Sequence, residues 1–412
     1  MIPVHADRYR KDPYMGQIQV VGAGECGLPL ALRLQRGGQD VTLVTDKDAE
    51  AVLAGSVTST QVKFARTIAL EAEAGLDYWA DAPAIDGIRF TMVVDRHAVA
   101  GWSGRFSAPA RSVDQRTVFA RWFGEFVAGG GRVELTEPSV DDVDRGAAEH
   151  DLTVVTRASR ELAACFPLDS SLTVPSRPVR TLAALYLDGV TPDPDGLGTY
   201  VALPGLGEMV STPALTGTPG QERTCATLMF EAVPGGGLDV FDAATTPAER
   251  LRLAREILDR HLPPALAARF RDAELTDAGA TIAGAVTPVV RGPVGTLPSG
   301  RAVLGGGDVV CRMDPGGAQG ANSAAQCAAY YAAAVLDSPD RGFDATWMAA
   351  AAKPWITDIA RPAALWTMTL LDPPPALQRL MDAAQHDRTR ADAFAETFIV
   401  PANMSQLALL QP

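Results

Sequence analysis

The sequence predicts an α/β fold made of a Rossmann-like domain, a discontinuous β-sheet substrate domain and a helical C-terminal region. Three stretches carry that expectation. Near the N-terminus, Gln17 to Val21 is a short β-like run. Gly22-Ala23-Gly24-Glu25-Cys26-Gly27 follows, then a helical stretch from Leu28 to Gln35 and a second strand, Val41 to Thr45, ending at Asp46. This order of strand, glycine turn, helix and strand binds a dinucleotide: Gly22 makes the turn, Gly24 admits the pyrophosphate, and Gly27 lets helix pack on strand. Asp46 lies about 20 residues further on, where a partner for a ribose hydroxyl is expected. Late in the chain, the apolar run Ala302 to Leu304 leads into Gly305-Gly306-Gly307-Asp308. Asp314-Pro315-Gly316-Gly317-Ala318-Gln319-Gly320-Ala321-Asn322 comes next, and an Ala-rich helix to Leu336 leads out. Glycines there let backbone approach a flat or anionic ligand, and the helix N-terminus offers free N–H groups. Asp308 is an acceptor for ligand hydroxyls; the plainer alternative is a turn with a capping Asp. Third, 165–290 is a series of β-like runs broken by Gly and Pro, and 343–400 is helical with Trp347, Trp355, Trp366 and Leu370 available for packing.

In chain order, residues 1–14 are charged and lack the apolar core of a signal peptide. They read as a disordered extension, or as a consequence of an upstream start codon with Met15 as the beginning. Gly55 to Thr60 is a loop, and Val62 to Leu76 is a helix with Phe64, Ile68 and Ala72 on one side. Ser59 and Thr60 can cap that helix. Ile85 to Val94 and Ala98 to Phe106 alternate as strands, with a solvated His97 in the turn. Ser112 can cap a helix from Val113 to Val127. Gly129-Gly130-Gly131 ends it, Val133 to Thr136 returns as a strand, and Asp151 to Thr156 is another. The β-like runs Thr181 to Leu187, Thr199 to Leu203, Glu208 to Thr212 and Arg223 to Phe230 precede one amphipathic helix, Pro247 to Leu262, capped by Thr246.

Composition narrows the class. A chain of 412 residues, nearly half of them apolar, builds a large core in two or three domains. A net charge of −13 argues against nucleic-acid and anionic-membrane partners. No apolar run reaches the roughly 18 residues of a membrane span. The cysteines Cys26, Cys165, Cys225, Cys311 and Cys327 form no CxxC pair, which fits a reducing cytoplasm. His5, His97, His150, His261 and His386 have no metal-ligand spacing, and HExxH and GxSxG are absent. No metal site is expected.

The two glycine motifs together resemble the flavoprotein monooxygenases of the hydroxylase fold. Ser107-Ala108-Pro109-Ala110-Arg111-Ser112-Val113-Asp114-Gln115-Arg116 is similar to the Ser/Arg…Val-Asp-x-Arg block of the two-component styrene and indole monooxygenases. The resemblance implies FAD-binding segments at 15–82, 107–164 and 291–340, substrate-domain segments at 83–106 and 165–290, and a helical region at 341–412. It implies that FAD contacts Gly22, Gly24, Gly27, Asp46, Arg116, Asp308, Gln319, Gly320, Ala321 and Asn322. Arg116 would lie on the diphosphate side, the alternative being an ion pair with Asp114. Ser59, Thr60, Pro315, Gly316 and Gly317 would border the substrate. Thr156-Arg157 stands where related proteins carry Thr-Gly, which leaves that contact in doubt.

The implied chemistry belongs to the flavin: reduced FAD and O2 give an electrophilic C4a-hydroperoxide, which epoxidises or hydroxylates an aromatic alkene or indole. Catalytic side chains are not expected. The Asp-Gly block of direct NAD(P)H users and a second nucleotide fold are absent, so the expected partner is a separate NAD(P)H-dependent flavin reductase; a homodimer is left open. The alternatives are a single-component NAD(P)H-dependent aromatic hydroxylase, a flavin-binding protein without oxygenase activity, and a halogenase, whose Trp-x-Trp motif is missing. Gly316-Gly317 replaces the larger apolar side chains of the family, which implies room for a substrate bulkier than styrene; glycine needed only for backbone angles is the alternative.

Overall fold

A computed structural model describes residues 16–172, 175–338 and 342–407. The expectations for residues 1–14 lie outside this range. The first unit is β1 (Gln17–Val21), α1 (Gly27–Arg36) and β2 (Asp40–Thr45). Both strands are apolar and buried almost end to end, as strands covered on two faces must be. Then come α2 (Ala65–Glu73), β3 (Ile85–Val94), β4 (His97–Ala110), α3 (Gln115–Ala128), β5 (Arg132–Leu135) and β6 (Leu152–Val155). The large sheet continues with β7 (Thr181–Asp188), β8 (Gly198–Leu203), β9 (Gly207–Thr216) and β10 (Arg223–Ala232), then α4 (Pro247–His261), β11 (Glu274–Leu275) and β12 (Thr281–Ala285). The chain closes with β13 (Val289–Val290), β14 (Val294–Thr296), β15 (Ala302–Gly305), β16 (Cys311–Arg312), α5 (Gly320–Leu336), α6 (Ala345–Trp355), α7 (Arg361–Leu371), α8 (Pro375–Ala384) and α9 (Arg388–Ile399).

Two main sheets result. The first has the order β14-β15-β6-β1-β2-β5, parallel except for β14 at the edge. The second has the order β11-β7-β10-β9-β8-β3-β4, with β12 also on β7, and only β3 and β8 pair in parallel. Its strands come from two separate stretches of chain. α4 covers one face, burying Leu251, Ala254, Ile257 and Leu258 in the same cluster as Leu185 and Phe230. Thr246 caps it as expected, and the structure adds Glu249, with which it forms a capping box. The Ala-rich α5 packs on α1 through side chains small enough for close approach.

Three local expectations change. His97 is the first residue of β4 and pairs with Val94, because the two-residue turn is Asp95-Arg96, both with positive φ. Asp114, rather than Ser112, caps α3; its carboxylate accepts from the Arg116 amide at 2.9 Å. The helix expected from Val62 starts at Ala65, because Lys63 exchanges backbone hydrogen bonds with Arg111 and Phe64 stays extended. Pro354 lies inside α6, and a π-turn, Ile356–Ala360, joins α6 to α7. Proline removes one helical donor, and the wider turn absorbs the irregularity.

The C-terminal helices lie on β3 and β4. Trp366 is fully buried there, 5.6 Å from Phe394 and 5.4 Å from Phe398 between ring centres. Its indole N–H has no hydrogen-bond partner among the described residues, so packing alone holds it. Trp366→Ala is therefore expected to lower the unfolding free energy by about 3–5 kcal/mol in urea titration. Its exposed neighbour Leu365 should tolerate alanine within about 0.5 kcal/mol. Equal costs at the two positions would refute this packing.

Candidate active site

The parallel strands of the first sheet end at one edge, where doubly wound sheets place ligands. There the Gly22–Gly27 turn is tightly constrained. Gly22 has φ +113°, a backbone that L side chains rarely adopt, and a Cβ on Gly27 would lie 1.8 Å from the Gly22 carbonyl oxygen. Thr156 braces the turn by placing its hydroxyl 3.0 Å from the Val21 carbonyl and 3.1 Å from that of Gly22. Gly24 differs, since a Cβ there meets nothing within 4 Å. It opens onto a cavity of about 580 Å³, within the usual range for small-molecule sites.

One wall of this cavity is polar and built on backbone: Gly24, Cys26, Thr156, Gly307, Asp308, Gly320 and Ala321. Asp308 is exposed and lines this space, and desolvation by the surrounding protein raises its carboxyl above the ordinary value. The opposite wall is the inner face of the second sheet with one C-terminal residue, and is largely apolar: Ile88, Phe106, Tyr200, Val210, Met229 and Phe398. At one end the cavity is lined by Thr58, Gln61 and Gln115. Their side chains form a chain, with Thr58 to Gln115 at 2.7 Å and Gln115 to Gln61 at 2.9 Å.

The structure gathers some of the residues singled out by sequence and separates others. Gly24, Ser59, Thr60, Asp308, Pro315, Gly316, Gly320 and Ala321 line the cavity. Gly22 and Gly27 shape the turn behind it. Asp46 lies outside the wall, exposed and paired with Arg157 at 2.5 Å. Arg116 also lies outside: its guanidinium is held by Asp114 at 2.7 Å and Asp277 at 2.8 Å and donates to the Gly55 carbonyl. Gln319 and Asn322 point into the protein and brace loops, Gln319 on the Gly317 and Phe398 carbonyls and Asn322 on those of Val62 and Ala318. Ala318, held at φ +52°, carries local strain beside the cavity.

The room expected from Gly316-Gly317 is not empty. A Cβ on Gly316 would meet Glu231 Oε2 at 2.7 Å, and one on Gly317 would meet Thr367 Oγ1 at 2.7 Å. Gly317 does not line the cavity. The glycines admit Glu231 from β10 and Thr367 from α7, and Gly317→Leu would displace Thr367 before it reshaped a substrate pocket.

Glu231 was not legible as a site residue, since it is a single acid just after the β-like run Arg223 to Phe230. It is fully buried beside Asp314, opposite Glu208 in the β9–β10 register. Glu208 is neutralised by Arg180 at 2.7 Å, which leaves Glu231 and Asp314 to share their environment. Burial, then the charges of Asp314 and Glu208, push the Glu231 carboxyl well above the usual range. Glu231 therefore keeps its proton beside Asp314, one of whose carboxyl oxygens accepts from the Gly316 amide at 3.2 Å. The turn beside the cavity thus rests on a neutral acid.

Residues 159–269 match the family described as "Styrene monooxygenase A putative substrate binding domain". The chain is 28% identical over 323 residues to styrene monooxygenase StyA of Pseudomonas fluorescens, covering 76% of this chain and 75% of that protein; StyA of a second Pseudomonas gives the same figures. Solved structures with a similar fold include the flavin-dependent halogenase CmlS (TM-score 0.62, 15% identity, 92% of this chain and 67% of that one). The flavin-dependent brominase Bmp2 is another (0.61, 13%, 96% and 100%), and so is 2,6-dihydroxypyridine-3-hydroxylase from Arthrobacter nicotinovorans (0.57, 13%, 91% and 94%). At such identities these likenesses concern the fold alone.

The buried acid sets a pH dependence. Because the folded protein raises the Glu231 pKa, its stabilising share is complete below the unfolded carboxylate value and is lost as pH rises toward the folded one. Glu231→Gln should therefore gain stability relative to the parent at pH 8 compared with pH 5, in denaturant titrations at both pH values. A pH-independent difference would refute the neutral acid.

Proposed function

We propose that this chain, which belongs to the styrene monooxygenase-like family, binds reduced FAD in the cavity and transfers one atom of O2 to an aromatic alkene or indole-type substrate. The observation that carries the reading is the cavity itself, which sets a glycine-rich nucleotide turn opposite an apolar wall. Oxygen transfer to an electron-rich double bond calls for a water-poor pocket more than a general base. No His, Lys or Arg occurs among the described residues lining this one.

The residues fit a flavin. Gly24 leaves the space that a pyrophosphate would fill, with the first-turn amides of α1 facing it. Asp308 would accept a hydrogen bond from a hydroxyl of the ribityl chain. The amides at the start of α5, at Gly320 and Ala321, would meet the polar edge of the ring system. Bound reduced FAD supplies the electrons that activate O2. Ile88, Phe106, Tyr200, Met229 and Phe398 hold the arene and exclude water, and Ser59 and Thr60 close the side of the pocket. Arg116 acts indirectly, by holding Asp114 and Asp277. Asp46 would reach an adenosine ribose in competition with Arg157. Reduced FAD would come from a separate NAD(P)H-dependent reductase.

Two measurements test the reading. Gly24→Val has room for its side chain in the protein but not beside a ligand. It and Asp308→Ala should each weaken FAD binding at least about tenfold, a loss of the size expected for one good contact (about 1.4 kcal/mol), while the circular dichroism stays native. Unchanged affinity in both would remove FAD from this cavity. With FAD and NADH or NADPH, the protein alone should consume no O2. Addition of an unrelated flavin reductase should start oxygenation of a vinyl arene or indole. NADPH oxidation by the isolated protein would point instead to a single-component hydroxylase, and reduced FAD reoxidised without product to a flavin-binding protein.

A further inference from the structure

An FAD in this cavity meets an electrostatic difficulty. The lining among the described residues holds three acids, Glu25, Asp308 and Asp314, and no Lys or Arg. A pyrophosphate is an anion, and Glu25 belongs to the turn that would receive it. Arg116 is committed to Asp114 and Asp277. Behind Glu25 stands Lys63, one of only four lysines in the chain. Its Nζ lies 2.7 Å from Glu25 Oε1 and 2.5 Å from Glu71 Oε1, and 4.5 Å from the centre of the Trp122 ring. All three charged residues are buried, with relative exposures of 8%, 7% and 5% for Glu25, Lys63 and Glu71.

Two carboxylates against one ammonium leave one negative charge, and a proton on either acid makes the group neutral. An uncompensated buried charge is costly, and a second anion beside it, such as a pyrophosphate, adds to the cost. Of the two acids, Glu25 is the one that forms cavity wall.

We propose that Glu25 sets the charge of the nucleotide site: it takes up a proton as the dinucleotide binds, so that the Glu25–Lys63–Glu71 group is neutral in the complex and affinity falls as pH rises. This rests on reading the cavity as an FAD site.

The surroundings favour a titration near neutrality. Burial pushes the Glu25 carboxyl up to about 7, with Lys63 pulling it down and Glu71 pushing it further up. Burial also raises Glu71, which faces Asp77 and Arg33 on its far side. Lys63 is raised, its two carboxylates outweighing burial, and stays charged. Cys26, next in the turn, is raised well above its ordinary value by its contact with Cys327 and by burial, and stays neutral. Gln115 is an uncharged neighbour. Asp308, near Cys26 in the polar wall, is raised by burial.

Below pH 7 Glu25 already holds its proton, and binding needs none. Above pH 7 each binding event must take up a proton, and Kd rises by up to roughly tenfold per pH unit. The experiment is FAD titration followed by flavin fluorescence and by calorimetry, from pH 6 to 9, in two buffers of different ionisation enthalpy. The parent should bind with proton uptake approaching one at pH 8.5 and a Kd about tenfold or more above that at pH 6.5. Glu25→Gln and, separately, Glu71→Gln each leave one carboxylate opposite one ammonium. Both should bind FAD with a Kd that is flat across the range and with no proton uptake. A pH-independent Kd in the parent, or the parental slope surviving in Glu25→Gln, overturns the inference. Absence of FAD binding at every pH overturns the FAD reading and takes this inference with it.

Discussion

The buried guanidinium of Arg116 joins the two halves of the cavity. It is fastened to Asp114 at the start of α3, to Asp277 in the loop between β11 and β12, and to the Gly55 carbonyl in the segment before α2. Thr216 of β9 donates to the same Asp114 carboxylate at 2.8 Å. One cation thus links the helix beside the first sheet, the loop that borders the cavity and two parts of the second sheet. Bidentate Arg–carboxylate contacts are directional, so they fix orientation as well as proximity. Removing Arg116 would leave the buried Asp114 carboxylate without its cation, and an uncompensated buried charge is costly.

With the sheets held this way, the cavity inherits one chemistry from each. The first sheet offers strand ends, glycine turns and helix N-termini, which suit an anionic, hydroxylated ligand. The second offers alternate side chains of β3, β8, β9 and β10, which are apolar because they line the interior of a half-buried sheet. Acids buried at this boundary cannot all ionise. Glu231 keeps its proton against Asp314, and Glu25 shares Lys63 with Glu71. Protonation state is therefore part of the architecture on both sides of the cavity.

Much of the local structure was legible in the residues. Short apolar runs marked β1, β2, β6 and β15, and Thr246 marked the start of α4. Misplaced boundaries have tertiary causes. Lys63 is drawn into a bridge with Arg111, which delays α2, and a two-residue turn moves His97 into β4. Gly24, Asp308, Gly320 and Ala321 could be tied to the cavity by motif, because glycine and helix N-termini carry their meaning locally. Arg116, Gln319 and Asn322 could not be told apart from ligand contacts, since an Arg or an amide looks the same in sequence whether it faces a ligand or a carbonyl.

Spacing of glycines, period of apolar residues and scarcity of histidine by themselves determined the α/β class, the strand–turn–helix units and the absence of hydrolase motifs. These depend on backbone sterics and on interactions within a few residues, so a linear string records them. Which charges meet was decided only in the folded protein. Lys63 finds Glu25 and Glu71, Glu231 finds Asp314, and Arg116 finds Asp277, across separations of up to 161 residues. Coulomb energies and desolvation depend on distance in space and on burial, and neither is written along the chain.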